Sequence, residues 1–328
     1  MSEITCEPIR FAVEERHYLL KIAHVSDLHI DSENAARNWR GARRVLAAAV
    51  EDGFDHLVIT GDIVQSPTPE NYGLARKLLG EFDLLKSNRL SLVIGNHEIY
   101  GGVLLAKEIM TFPGRCRATD YDLRVREFRG FFPEAFECAR TTSPADVFPY
   151  VKVVGDCAII GINSIAPYAT VGNPFASRGR VTPDDLAKVI ELLARPEASG
   201  KNNIVIMHHQ FCKQRLIERP REHALWRKIE WRSLKLQRLR RIVKVFRALG
   251  ITIVFHGHIH ENSIYFRDRI CFANAGGSVD NPIGSELGYN LAALGDGAID
   301  IAARVILPLE RPNHLLPPDF DLVPELVE

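Results

Sequence analysis

The chain has 328 residues, 46% hydrophobic and 25% charged, the make-up of a globular protein large enough for one α/β domain or two modest ones. Forty-one basic residues balance forty-one acidic ones, so overall charge points to neither a nucleic-acid nor a membrane partner. The six cysteines, Cys6, Cys116, Cys138, Cys157, Cys212 and Cys271, are scattered without a CxxC pair, which excludes a thiolate metal site and reads as reduced, structural thiols.

Residues 1–20 read as an N-terminal extension, without the basic-then-apolar pattern of a signal peptide. No apolar run approaches the roughly 18 residues of a membrane span, so a cytoplasmic location is expected. The main domain is expected over 21–307. Its first strand is 21–26 (KIAHVS), followed by a helix over 37–50, a strand at 56–60, a helix over 69–86 opening on Pro69, and a strand at 91–94. Residues 110–150 carry aromatics, arginines and prolines without clear periodicity and read as an insertion or cap over the sheet. Strands at 151–154 and 158–162 come next. A helix over 183–194 then has Thr182 as N-cap and Pro183 at its first position. A strand at 204–207, a helix over 233–248 and strands at 251–255, 270–274 and 298–307 complete the domain. Residues 308–328 are proline-rich and acidic, as in an extended surface tail. Strand–helix alternation of this kind predicts a layered α/β fold.

Five polar motifs stand where five apolar runs stop: DLH at 27–29, GD at 61–62, GNHE at 95–98, HH at 208–209 and GHIH at 257–260. Ligands of α/β sheets gather beyond the carboxyl ends of strands. Convergence of these ends would bring together two aspartates, an asparagine and up to six histidines. Imidazole mixed with carboxylate and amide oxygen suits Mn, Fe or Zn rather than magnesium alone. Seven good ligands exceed what one ion uses beside water and substrate, so two ions roughly 3.5–4 Å apart are expected. Each motif alone is weak; a GD after a strand is usually only a turn. The ordered set carries the reading.

That set resembles the calcineurin-like metallophosphoesterases from about residue 21 to 280. The resemblance implies a four-layer α-β-β-α sandwich of two mixed sheets flanked by helices, with a dinuclear metal site at the strand ends. Asp27, His29 and His260 would bind the first ion, and Asn96, His208 and His258 the second. Asp62 would bridge both, and His97 would stand as a non-ligand near the leaving group. Two divalent or mixed-valence ions are implied, Mn favoured over Fe or Zn. They would acidify a shared water, and the resulting bridging hydroxide would attack phosphorus in line. His208 is preferred to His209 because it directly follows the strand run IVIM, although the family often has proline within two residues of this histidine and here the run is HHQF. Ile94 replaces the arginine that precedes GNHE in phosphoprotein phosphatases, which argues against that class.

His256 and His24 read as core histidines inside strands, and Asn274 as a turn residue that could line the pocket. From Lys213 to Leu249, thirteen Lys/Arg stand against three Glu. The plain reading of this segment is a solvated, arginine-rich helix face. The sharper one sets Arg215, Arg219, Arg221, Trp226 or Trp231 beside the active site or on an anionic lipid surface. No strong nucleic-acid signal emerges, and the oligomeric state is not legible.

In motif spacing the chain is most similar to the bacterial class III cyclic nucleotide phosphodiesterases, which implies a small nucleotide-like ester as substrate, whether diester or monoester. The alternatives are a lipid–sugar pyrophosphate hydrolase of the UDP-diacylglucosamine type and, remotely, a metal-free interaction scaffold. The scaffold would lack ligands, whereas all seven positions are filled here.

Overall fold

A computed structural model of the protein describes residues 20–32, 35–103, 106–211, 234–260, 262–279, 287–295 and 298–306. In chain order the elements are β1 (Leu20–Val25), α1 (Ala35–Asp52), β2 (His56–Ile59), α2 (Pro69–Glu81), β3 (Leu90–Leu92), α3 (His97–Tyr100), α4 (Ala106–Ala118), α5 (Tyr121–Phe131) and α6 (Pro133–Phe136). There follow β4 (Tyr150–Val154), β5 (Cys157–Ile162), α7 (Pro183–Leu193), β6 (Asn202–Met207), α8 (Leu239–Ala248), β7 (Ile251–His256), β8 (Asn262–Arg267), β9 (Ile270–Ala275), β10 (Leu287–Gly295) and β11 (Ala298–Ile306).

The strands form two mixed sheets, one ordered β11-β10-β1-β2-β3 and the other β4-β5-β6-β7-β9-β8. β1, β2 and β3 run parallel, as do β5, β6, β7 and β9, so their carboxyl ends share one edge. Alternation along β6 shows how the layers stack. Ile204 and Ile206 face a core shared with the first sheet, whereas Val205 and Met207 face a second core with Leu186 and Val189 of α7 and Val243 and Phe246 of α8. Burial on both faces explains the continuous apolar run IVIM. On the far side of the first sheet, Val45, Leu46 and Ala49 of α1 join the first core. The result is the expected sandwich of two mixed sheets flanked by helices.

Local chemistry sets the helix ends. Thr182 caps α7 by accepting from the Asp185 amide (3.0 Å), and Asp185 accepts in return from the Thr182 amide (2.7 Å). α2 stops at Glu81 rather than 86 because Asp83 turns left-handed at φ 56° and the Leu84 amide closes onto the Leu79 carbonyl. α8 begins at Leu239, after Arg238 at φ 53°, and buries Ile242, Val243 and Phe246 under an exposed Arg240–Arg241–Lys244–Arg247 face. The arginines and tryptophans singled out above, from Arg215 to Trp231, lie outside the described residues, as do the tail and residues 1–19 of the expected 1–20 extension, whose last residue, Leu20, opens β1. Among the described residues no helix is long and apolar enough to cross a membrane.

Two strands and four helices, α3 to α6, exceed the sequence reading. β8 and β10 are new, and 110–150 contains most of α4 and all of α5 and α6. Phe128, Phe132 and Phe136 anchor that segment to the first core, and Tyr72 of α2 stacks on Phe131 at 4.2 Å.

His56 connects β2 to the β3 region, with Nδ1 2.8 Å from the Asn88 carbonyl and Nε2 2.9 Å from the Ser91 hydroxyl. Burial lowers its pKa to about 4, below the unfolded value of 6.5. The unfolded chain therefore takes up this proton first. Stability contributed by neutral His56 is complete above pH 6.5 and is lost as pH falls towards 4, by up to about 3 kcal/mol. Denaturant titrations of wild type and His56→Gln across this range should show a steeper loss in the wild type; parallel pH profiles would contradict the assignment.

Candidate metal centre

The shared strand edge carries every sequence-predicted residue of the site. Asp27 and His29 follow β1, Asp62 follows β2, Asn96 and His97 follow β3, His208 follows β6, and His258 and His260 follow β7. Both sheets are therefore needed to assemble it. The loops are tied by backbone bonds from Asp27 to the Gly61 carbonyl (3.0 Å), His29 to the Asp62 carbonyl (3.0 Å) and Gly257 to the His208 carbonyl (2.9 Å). Carboxylates tie them again: the His97 amide donates to Asp62 Oδ1 at 2.9 Å and the His258 amide to Asp27 Oδ2 at 3.0 Å.

Four of these residues, Asp27, His29, Asp62 and His258, have φ between 46° and 72°. L-residues pay roughly 1–3 kcal/mol each for that conformation and keep it where the surroundings over-determine it, commonly at functional sites. Two glycines make room for the carboxylates. A Cβ on Gly95 would overlap Asp62, and one on Gly257 would overlap Asp27 and Ser26.

Three groups of side chains could each hold an ion: Asp27–His29–His260, Asp62–His208–His258 and His29–Asp62–His97, with ligand atoms within 4.8 Å of one another. In the first, His29 Nε2 and His260 Nε2 are 3.3 Å apart and lie 3.9 and 3.8 Å from Asp27 Oδ1. In the second, His208 Nε2 lies 3.3 Å from Asp62 Oδ2, 3.0 Å from His258 Nδ1 and 3.1 Å from Asn96 Oδ1. Ligands about 2.0–2.2 Å from one ion are roughly 3–4 Å from each other, so the donor set fits. Buried Asp27 Oδ1 has no hydrogen-bond partner, another mark of a site built around cations.

Electrostatics agree. Burial raises the pKa of Asp27, partly opposed by His208 and His260. Burial alone would also raise Asp62, but His208 and His97 outweigh it and hold its carboxyl well below the usual range. Burial opposes protonation of His208, yet Asp62 beside it pushes its pKa up to about 9. A proton there stands in for a cation and must leave when His208 ligates. His208 Nδ1 lies 2.7 Å from the Thr60 carbonyl, an arrangement in which N–H donates there and the Nε2 lone pair faces Asp62 and Asn96.

The neighbouring histidines point elsewhere. His209 Nδ1 meets the Ser164 hydroxyl (2.9 Å) and Nε2 the Ser177 carbonyl (3.1 Å), while buried His256 lies 3.3 Å from the Tyr265 hydroxyl. His24 meets Thr60 Oγ1 at 2.9 Å and packs on Phe255 at 4.6 Å between ring centres. Asn274 does not line the cleft; its amide donates to the Ile259 carbonyl at 3.1 Å and supports the GHIH loop.

One functional residue escaped the sequence reading. Glu98, fully buried, accepts backbone N–H bonds from Asp62 (2.9 Å), Ile63 (2.6 Å), Val64 (3.0 Å) and Gly95 (2.7 Å). It locks the loop bearing Asp62 to the loop bearing Asn96. Burial and nearby Asp62 push its pKa up to about 7 despite these donors. The signal was present as the last letter of GNHE, but its task depends on the Asp62 loop folding onto it.

The cluster opens into a cleft of about 690 Å³, lined at its base by Asp62, Asn96, His97, His258 and His260. Its walls come from α4 and its approach (Val103, Ile109, Phe112), from Pro174 and Phe175, and from Leu234 and Ile259.

The sequence matches the calcineurin-like phosphoesterase family over residues 20–262, and the chain belongs to that family. It is by class a metal-dependent phosphoesterase, a hydrolase, and the family implies a dinuclear divalent-metal site. A dimetal phosphatase from Danio rerio shares the fold at 11% identity and TM-score 0.53, covering 88% of this chain and 96% of that one. A phosphopantetheinyl hydrolase from Mycobacterium tuberculosis aligns at 12% identity and TM-score 0.38, over 77% of this chain and 88% of its own. No curated protein matches the sequence.

Glu98→Gln replaces an acceptor facing four amides with a group that is half donor, so it should destabilise the protein by at least about 2 kcal/mol and weaken manganese binding. Unfolding and metal titrations read both effects. Wild-type values in both would show that Glu98 does not organise the centre.

Proposed function

We propose that the chain hydrolyses phosphoric esters, diesters ahead of monoesters, at two ions held by Asp27, His29 and His260 and by Asn96, His208 and His258, with Asp62 shared. The observation that carries this reading is the position of Asp62, whose carboxylate belongs at once to the group with His208 and His258 and to the group with His29. When bound, two divalent ions supply Lewis acidity toward phosphoryl oxygens and acidify water; manganese suits the mixed nitrogen and oxygen donors.

The chain's own residues do the rest. Thr60 and Glu98 fix the orientation of His208 and Asp62. His97 Nδ1 lies 3.0 Å from the Gln65 carbonyl, which leaves Nε2 beside Asp62 (3.9 Å from Oδ2) at the base of the cleft. In hydrolysis an oxygen from water bonds to phosphorus while the bond to the leaving oxygen breaks. That oxygen keeps the electron pair and takes a proton, for which His97 is placed. His97 also belongs to a group that could ligate. Its separation from Asp62 exceeds that of His208, and the reading keeps it as a proton donor.

Of the substrates implied by the sequence, a nucleotide-like ester needs partners for sugar and base. Outside the metal cluster, Ser177 alone among the described lining residues has a polar side chain, which favours an ester whose organic group is largely apolar.

Manganese-loaded protein should cleave bis-p-nitrophenyl phosphate faster than p-nitrophenyl phosphate. Asp62→Ala should lose both turnover and metal. His97→Ala should slow turnover by about 10²–10⁴-fold while retaining two ions. Absence of any ester hydrolysis, or an emptied site in His97→Ala, would overturn the respective assignment.

A further inference from the structure

The walls of the cleft differ in kind from its base. Rising from Asp62, Asn96, His97, His258 and His260, they present Val103, Ile109, Phe112, Pro113, Pro174 and Phe175. These side chains are not all core residues that happen to border a void. Ile109 is 60% exposed, Phe175 45% and Val103 38%, and two further apolar residues of the same segments, Met110 and Val171, are 84% and 92% exposed. Five of the eleven exposed large hydrophobic residues among those described thus fall on the two segments that form the walls. Scattered exposed apolar residues need no explanation, but a grouped set at the mouth of a binding cleft marks what the cleft receives.

The second wall is also held in place. Asn173 donates to the Ala166 and Pro167 carbonyls at 3.1 Å each and accepts from the Arg178 amide at 3.0 Å. His209, neighbour of the proposed ligand His208, reaches the Ser177 carbonyl on the same loop. Phe175 is therefore carried on a loop anchored directly to the strand that supplies the centre. On the other wall, Arg115 packs over Phe112 at 5.1 Å and donates to the Gly102 carbonyl at 2.6 Å, fixing α4 against the loop that follows α3.

From this we infer that the preferred substrate is an amphiphilic phosphoester, whose phosphate meets the metal centre while a hydrocarbon chain lies between the α4 wall and the Pro174–Phe175 wall. The inference rests on the reading of the site as a phosphoesterase centre and adds the class of organic group. A chain of this kind gains free energy with each methylene removed from water and needs no polar partner from the walls. A nucleobase stacked on Phe112 and Phe175 is the competing occupant, and it leaves its hydrogen-bonding edges unmatched among the described residues.

The test uses one reporter and varies only the retained group. Manganese-loaded full-length protein is assayed on the p-nitrophenyl diesters of methyl, butyl and octyl phosphate and of thymidine 5′-phosphate, each below its aggregation concentration. The kcat/KM should rise with chain length, by at least about tenfold from methyl to octyl, and the octyl ester should exceed the thymidine ester. Ile109→Ser and Phe175→Ser, at partly exposed positions that tolerate polar side chains, should flatten the chain-length dependence, and circular dichroism should show them folded. A parallel arm presents the octyl ester in phosphatidylcholine vesicles. A higher rate there supports the inference with a bilayer as the source, and a lower rate supports it with a free amphiphile. A flat series, or preference for the thymidine ester, overturns the inference and leaves the phosphoesterase reading standing. No turnover of any ester overturns that reading itself.

Discussion

Asp27 and Asp62 are carboxylates taken almost wholly out of water, facing imidazole nitrogens at distances of 3.3–3.9 Å. Such a cluster is unfavourable by itself: burial penalises each charge, and lone pairs converge on lone pairs. Cations between them resolve the conflict. The same conflict shows in His208, whose proton affinity Asp62 raises. The rest of the strand edge serves to hold these groups close enough for that need to persist.

Holding them takes unusual backbone. Four residues of the cluster sit in the left-handed region, two glycines admit carboxylates against the main chain, and Glu98 spends its buried charge on four amides. These devices would make little sense in a loop whose only task was to reverse direction. They bind the ends of β1, β2 and β3 into one unit, to which β6 and β7 of the other sheet bring their histidines. Packing of the two sheets through the first core is thus a requirement of the centre, because the candidate ligands come from both sheets.

Much of this was legible in the sequence, for definite reasons. Buried parallel strands need continuous apolar runs, so KIAHVS, HLVIT and IVIM announced themselves, and polar residues at their ends stood out by contrast. β10 did not, since LGYNLAALG carries two glycines, two alanines and an asparagine but no β-branched residue, and owes its strand to pairing with β1 and β11. β8 was hidden because it is a partly exposed edge without strict alternation. Helices α4 to α6 were masked by Pro113 and by aromatic residues that serve more than one neighbour, such as Phe132 against both Tyr72 and Phe128. At the site, ligand types followed from motif order. The amide-binding role of Glu98 and the hydrogen bonds of His209 to Ser164 and Ser177 depend on where other loops lie, information that resides in tertiary contacts alone.

The most direct measurement of a shared-carboxylate centre is electron paramagnetic resonance during manganese titration of chelator-stripped protein. Two ions per chain should bind, and at full loading the spectrum should show magnetic exchange between them through a common ligand. A single ion at saturation, or two that remain magnetically independent, would contradict the central role given to Asp62.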